Sequence, residues 1–208
     1  MKKPLSLLLT AILLLIMWGC NKQHAPLQES FSKTNDLDHA LELYNEFLMG
    51  ERTAKPKKGD YEISINDIFF GNEWNEWNKY AMFDMNGDGI PELHIRSVSF
   101  YEIFTYKEEA LISWSGFMSR SAPLNNGAVL TVRHGGANST TTYFYQEFDF
   151  NGNERMRVDF DSAESNEGIP VYFFENTEVS KKEWDALTEK YLSIGSDKIE
   201  WISADTRR

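Results

Sequence analysis

Residues 79–96 read K-Y-A-M-F-D-M-N-G-D-G-I-P-E-L-H-I-R, which places a polar loop between two runs of strand-forming residues. The first run is Lys79–Phe83 and the second is Glu92–Arg96, and both combine apolar, aromatic or β-branched side chains with few turn formers. The loop between them contains an Asn-Gly and an Asp-Gly dipeptide, which favour tight chain reversal. This stretch therefore predicts a β-hairpin whose connection is the loop 84–92.

Further runs with the same character follow at close spacing. They are Tyr101–Tyr106, Ala110–Trp114, Ala128–Arg133, Thr140–Phe148, Glu154–Phe160 and Val171–Glu175. Turn residues separate them, and the intervals are too short for the crossover helices that parallel strands require. We therefore predict a mostly antiparallel β meander of about eight short strands.

Two helices are predicted to flank the meander. In the first, apolar residues recur at helical spacing after a possible N-cap at Asn35, and Gly50 ends the helix. In the second, Ser180 and Glu183 form a capping-box pattern, and Gly195 follows the last turn. We expect an α+β fold in which the N-terminal and the C-terminal helix pack on one face of the sheet.

The start of the chain has the features of an export signal. Lys2 and Lys3 precede the apolar run Leu5–Trp18, which is too short for a typical membrane span. Cys20 is the only cysteine of the chain and follows a small residue, as in the lipobox of bacterial lipoproteins. We therefore expect lipidation at Cys20; an ordinary signal peptide with an incidental cysteine is the alternative.

This interpretation divides the chain into three parts. Residues 1–19 form a lipoprotein signal peptide, residues 20–34 form a polar tether, and residues 35–208 form a single α+β domain. The predicted location is the cell membrane, to which the protein is anchored by lipid on the side facing away from the cytoplasm. The 32 acidic and 21 basic residues give a net charge of −11, which argues against nucleic acid as a partner.

The loop 84–92 has the spacing of a calcium-type site. Asp84, Asn86, Asp88 and Glu92 place side-chain oxygens at positions one, three, five and nine, and Ile90 offers its main-chain carbonyl. A glycine at position six permits the sharp turn, and an all-oxygen set favours Ca²⁺, with an affinity on the order of 10⁻⁴ M. The twelfth position is not glutamate, so this is not a complete EF-hand. A polar hairpin turn without an ion is the alternative.

Three other polar segments have simpler interpretations. The segment 148–153 echoes the start of the loop, but Arg157 stands where the ninth ligand would be, so we predict a plain hairpin turn. His94 follows the loop between charged neighbours and is expected at the surface. Arg52–Gly59 contains three lysines and is expected to be an exposed basic turn.

The segment 80–93, Y-A-M-F-D-M-N-G-D-G-I-P-E-L, resembles the D-x-[DN]-G-D-G-x-P-E-L signature of largely uncharacterised bacterial surface lipoproteins. F-L-M-G-E at 47–51 and V-S-K-K-E-W at 179–184 are similar to the end of a helix and the start of a final helix in those proteins. The resemblance implies an extracytoplasmic domain with a calcium-type loop. It implies no established activity.

These features lead to a hypothesis about function. The chain is expected to be a membrane-tethered binding or interaction module, with Ca²⁺ as cofactor and with two partners: the membrane, reached through Cys20, and an unknown surface or envelope ligand. No motif typical of a catalytic site is present, so an enzyme is the less favoured reading. The alternatives are an extracellular hydrolase that uses acidic residues near the loop, and an immunity or inhibitory lipoprotein.

Overall fold

A computed structural model describes residues 26–69, 78–118, 120–135 and 139–203, with the backbone alone for residues 26–34 and 115. The predicted signal peptide, residues 1–19, and the predicted lipidation site Cys20 lie outside the described residues. No helix in the described ranges combines the length and the apolar character needed to span a bilayer.

Three helices occur in the described residues: α1, Pro26–Met49; α2, Ile65–Phe69; and α3, Lys181–Leu192. The first begins well before Asn35, so the predicted N-cap is wrong and the second part of the predicted tether has helical backbone. Proline suits a first helical turn, and the residues after it include several good helix formers. Gly50 does end α1, because Glu51 donates to the Glu46 carbonyl across it at 2.9 Å.

The C-terminal helix starts as its sequence predicts. The Ser180 side chain accepts from the main-chain N–H of Glu183, and the Glu183 side chain reaches back to the Ser180 N–H. This reciprocal pair satisfies two donors that a helix start otherwise leaves without partners. The helix ends at Leu192 with Ser193 as C-cap, before the predicted stop at Gly195.

Sheet one contains six strands in the part of the chain that the structure describes. In chain order they are β1, Lys55–Pro56; β2, Lys79–Phe83; β3, Glu92–Arg96; β4, Phe100–Lys107; β5, Ala110–Met118; and β12, Ile202–Ser203. The spatial order is β1-β5-β4-β3-β2-β12. Among the described strands the β1–β5 pair is parallel, and the four other neighbouring pairs are antiparallel.

Sheet two is a second meander of six strands. They are β6, Ser121–Pro123; β7, Val129–His134; β8, Thr141–Phe148; β9, Glu154–Glu164; β10, Pro170–Phe174; and β11, Thr177–Val179. Sequence order and spatial order coincide, and every pair is antiparallel. The sheet is therefore built from hairpins alone.

The α+β class and the mostly antiparallel strands are confirmed, and each of the eight predicted runs forms a strand. The expected number of strands is too low, because β1, β6, β11 and β12 are added. Each of these four has only two or three residues. Such segments are too short to show alternation in the sequence, and pairing with a longer neighbour defines them.

The expectation that both helices cover one face of one sheet is wrong. Helices α1 and α2 bury Phe47 and Ile65 against Leu93 of sheet one. Helix α3 instead buries Trp184 against Phe160 of sheet two. The inner faces of the two sheets pack on each other through Tyr101, Ile103 and Trp114 of sheet one and Val129 of sheet two. The layers therefore run helix, sheet, sheet, helix, because each sheet has two apolar faces to cover.

Candidate metal site

The loop 84–92 connects β2 to β3 and touches three layers of the fold. Phe83 pairs with Glu92 at its base. The hydroxyl of Tyr44 in α1 donates to the Pro91 carbonyl at 2.9 Å, and Ile90 packs against the core under that helix. Met85 is buried between the two sheets. The loop is therefore anchored on both sides of sheet one.

Asp84 organises the first part of the loop. One carboxylate oxygen accepts from the Gly87 N–H at 2.8 Å, and the other accepts from the Gly89 N–H at 3.0 Å. Gly89 has φ +92°, a conformation that side chains with a Cβ rarely adopt. The sharp turn that the sequence predicts at this glycine is thus confirmed.

Asn86 and Asp88 continue the same pattern. The Asn86 side-chain oxygen accepts from the Asp88 N–H at 2.8 Å, and an Asp88 oxygen accepts from the Ile90 N–H at 2.8 Å. Such side-chain to main-chain bonds are typical of polar turns and hold the chain in a tight curve. Asp84 and Asn86 are half-buried, whereas Asp88 is exposed.

Glu92 is the exceptional member of the loop, because it is 0 % exposed. Its carboxylate accepts from the Met85 N–H at 3.0 Å and from the Asn86 amide at 2.6 Å. Burial, together with the negative charges of Asp88 and Asp84, raises the pKa of Glu92 to about 8, although the hydrogen bond from the Met85 N–H acts to lower it. The sequence places Glu92 in the ligand set, but it does not indicate that the side chain is completely enclosed.

The side chains of Asp84, Asn86, Asp88 and Glu92 thus accept hydrogen bonds from donors of the loop, whereas the side chain of Ile90 packs against the core. Across the ranges that the structure describes, no three His, Cys, Asp or Glu side chains are grouped as a metal site. Asp84, Asp88 and Glu92 are three such side chains, so their carboxylates do not come together around one point in this structure. Calcium binding remains a prediction.

The chain was compared with family models, with curated proteins and with solved structures, and none of the three comparisons found a significant match. The similarity of the loop to surface-lipoprotein signatures therefore stays a resemblance.

His94 does not lie at the surface, contrary to expectation, because sheet two covers the face of β3 on which it lies. It is 0 % exposed, with Nδ1 at 2.7 Å from the Tyr101 hydroxyl and Nε2 at 3.3 Å from the Phe83 carbonyl. A carbonyl only accepts, so Nε2 carries the proton and Nδ1 accepts from Tyr101. Burial lowers the pKa of His94 to about 4, which keeps the imidazole neutral.

The loop's echo is a hairpin turn, as predicted. Asp149 accepts from the N–H groups of Asn151 and Asn153 at 2.9 and 2.8 Å, between β8 and β9. Arg157 forms an ion pair with Asp159 at 2.7 Å. This turn shares the Asp84 type of hydrogen bonding but has no buried glutamate, which makes it a suitable comparison for the loop.

The segment Arg52–Gly59 differs from the expected exposed basic turn. Its Lys55–Pro56 portion forms β1, and the Lys57 N–H continues the pairing by donating to the Ser113 carbonyl at 2.9 Å. The half-buried side chain of Lys57 then borders a pocket that also includes Glu102. The sequence does not point to this pocket, because its walls come from distant parts of the chain.

Proposed function

We propose that this chain is a membrane-tethered extracytoplasmic lipoprotein domain whose loop 84–92 binds Ca²⁺, and that the domain is a binding module. The observation that carries the calcium site is Glu92, a fully buried carboxylate in a loop with two further carboxylates. Burial of a carboxylate is unfavourable unless donors or a cation compensate it. Calcium supplies that compensation.

The chemistry of the loop supports an ion at this place. Glu92 receives two hydrogen bonds, but no Lys or Arg in the described part of the chain forms an ion pair with it. The oxygens of Asp84, Asn86 and Asp88, with the Ile90 carbonyl, complete a set of hard ligands. The Asn86 amide nitrogen contacts Glu92, so an ion that takes Glu92 as ligand replaces that hydrogen bond.

The position of the loop supports a structural role for the ion. Tyr44 links the loop to helix α1, and Met85 reaches the core between the sheets. An ion in the loop therefore stiffens the place where α1, sheet one and sheet two meet. Recognition of a ligand is therefore expected at other surfaces of the domain.

Thermal unfolding with and without calcium tests the site. In about 10 mM Ca²⁺, a site with a Kd of about 10⁻⁴ M raises the free energy of unfolding by about 3 kcal/mol, or about 5–10 °C in Tm. The double variant Asp84→Ala, Asp88→Ala is expected to lose this gain. Asp149→Ala, which removes an aspartate from the echo turn, is expected to keep it. Equal Tm values of the wild type in EDTA and in calcium would refute the site.

The membrane tether rests on the sequence of the first 20 residues and has its own test. Cys20→Ser removes the only thiol that could be acylated. We expect the wild type in the membrane fraction of expressing cells and the variant outside it. Retention of both in the membrane fraction would exclude Cys20 as the anchor.

The alternatives predict other results. A hydrolase that uses acids near the loop needs solvent access to them, whereas Glu92 and His94 are both fully buried. An immunity or inhibitory lipoprotein requires a stable partner, which co-purification from surface extracts would identify. The hydrolase and the immunity or inhibitory lipoprotein remain alternative hypotheses, and the binding module is preferred to them.

A further inference from the structure

A pocket of about 670 Å³ lies beside helix α2 and is separate from the loop 84–92, none of whose residues line it. Its volume is within the range of about 300–1,000 Å³ that small-molecule sites occupy. Tyr61 and Ile68 come from the segment that contains α2, and Trp114 comes from β5. Glu154 of sheet two completes the wall, so the pocket depends on the assembled fold.

Glu102 is the buried acid of this pocket. Its side chain is 9 % exposed, although the residue lines the cavity. The Ser113 hydroxyl donates to Oε1, whereas Oε2 receives no hydrogen bond from the described residues. Lys57 and Lys58 also line the pocket, but among the described residues neither forms an ion pair with this carboxylate. One oxygen of a buried acid is therefore left for a donor from outside the chain.

The two other carboxylates of the pocket differ, because the protein already holds them. Asp67 accepts from both the main-chain N–H and the hydroxyl of Ser64 at 2.7 Å. Glu154 accepts from the Gln146 amide at 2.6 Å. Both are exposed, so water can satisfy their remaining acceptor sites. Glu102 alone combines deep burial with an open oxygen.

An irregularity between β4 and β5 builds this arrangement. Glu102 pairs with Gly116 and Phe104 pairs with Ser113, so residues 114 and 115 together oppose Ile103 as a bulge. A Cβ atom on residue 116 would lie 3.0 Å from Glu102 Oε2. Glycine at this position therefore keeps the space in front of that oxygen open.

We propose that this pocket binds an organic cation, whose ammonium group donates to Glu102 Oε2 and whose apolar part lies between Tyr61 and Phe100. Three carboxylates and two lysines line the pocket, so its charge favours a cation over an anion. Tyr61 and Phe100 are 60 % and 37 % exposed, so their rings offer apolar surface on which the ring of an aromatic cation can pack.

A titration followed by NMR, with benzylammonium as probe, tests this proposal. Benzyl alcohol is the matched neutral probe, since it keeps the ring and replaces the ammonium by a hydroxyl. For a probe of this size we expect a Kd on the order of 1 mM for benzylammonium. Benzyl alcohol is expected to bind about tenfold more weakly, because it lacks the charged donor. Equal affinity for the two probes would overturn the proposal.

Variants test whether benzylammonium binds in this pocket, next to Glu102. Glu102→Gln keeps the shape and the Ser113 contact, and it should weaken benzylammonium binding about tenfold. Glu178→Gln, an exposed change on β11, should leave binding unaltered. Gly116→Ala crowds Oε2 without removing the acid and should also weaken binding. Wild-type affinity in folded Glu102→Gln or in folded Gly116→Ala would overturn the proposal.

The Asp84→Ala, Asp88→Ala variant should bind the probe normally, which separates this site from the calcium loop.

Discussion

Gly127 lies directly against the main chain of Met85, and a Cβ atom at position 127 would overlap the Met85 carbonyl oxygen. Gly127 belongs to the turn between β6 and β7 and has φ +81°. Met85 belongs to the loop between β2 and β3, so this contact joins the two sheets at the level of the backbone. Close approach of two backbones is possible here because glycine has no side chain.

Gly127→Ala is therefore expected to destabilise the protein by about 3 kcal/mol or more, since a main-chain atom must move and φ is strained. Gly168→Ala is the matched control, because Gly168 has φ +76° but nothing within 4 Å of its Cβ position. That change should lower the free energy of unfolding by only about 1 kcal/mol, because only the cost of a positive φ in alanine remains. Urea unfolding measures the free energy of unfolding of both variants. Equal decreases in the two variants would show that the contact with Met85 does not contribute to stability.

Tyr44 links three elements through its hydroxyl, which accepts from the Tyr106 N–H at 3.1 Å and donates to the Pro91 carbonyl at 2.9 Å. Its side chain is 0 % exposed, and burial raises its pKa far above the ordinary value. Tyr44→Phe removes the hydroxyl that both main-chain groups contact, and it should lower the free energy of unfolding by about 2–3 kcal/mol. Tyr61→Phe, at an exposed tyrosine, should change the free energy of unfolding by less than about 0.5 kcal/mol. Similar losses in the two variants would contradict the role of the hydroxyl.

Glu92 and His94 give the calcium-free protein a defined pH dependence. The pKa of Glu92 is raised to about 8, so its folded form holds a proton that the unfolded chain releases near its ordinary value of 4.5. Its contribution to stability is complete below that value and is lost as the pH rises to about 8. The pKa of His94 is lowered to about 4 from 6.5, so its contribution is complete above 6.5 and is lost toward about 4.

These two effects oppose each other between about pH 4.5 and 6.5, where they nearly cancel. Above 6.5 only Glu92 acts, so we expect the free energy of unfolding in EDTA to fall by about 2 kcal/mol between pH 6.5 and 8. Urea unfolding across this range measures the slope. Glu92→Gln should remove it, whereas Glu178→Gln should retain it. Calcium should restore stability at the upper end, because it replaces the proton. An unchanged slope in Glu92→Gln would assign the effect to another group.

The sequence predicted the elements whose signals lie within a few residues. The hairpin 79–96 has its strands at the expected bounds, because β-forming runs and turn dipeptides stand next to each other. The start of α3 at Ser180 was predictable for the same reason, since the cap and its partner are three residues apart. The turn around Asp149 is also predictable, because the Asn-Gly dipeptide stands between the runs that form β8 and β9.

The errors concern features that depend on distant contacts. The sequence predicts His94 in solvent, because alternation along β3 places it on the face opposite Leu93 but does not indicate what covers that face. Sheet two covers it, and Arg96 on the same face donates to the Ser121 carbonyl at 2.7 Å. The sequence does not indicate the pocket around Glu102, since the pocket requires a bulge in β5 and residues from both sheets.

Local chemistry along the chain determined the strands, the helix caps, the composition of the loop 84–92 and the acidic character of the protein. Tertiary structure alone decided that the strands divide into two sheets, that α1 and α3 lie on opposite outer faces, and that Glu92, His94 and Glu102 are removed from water. The reason is physical: hydrogen-bonded turns and caps form between near neighbours, whereas burial depends on the side chains that other segments bring to the same place.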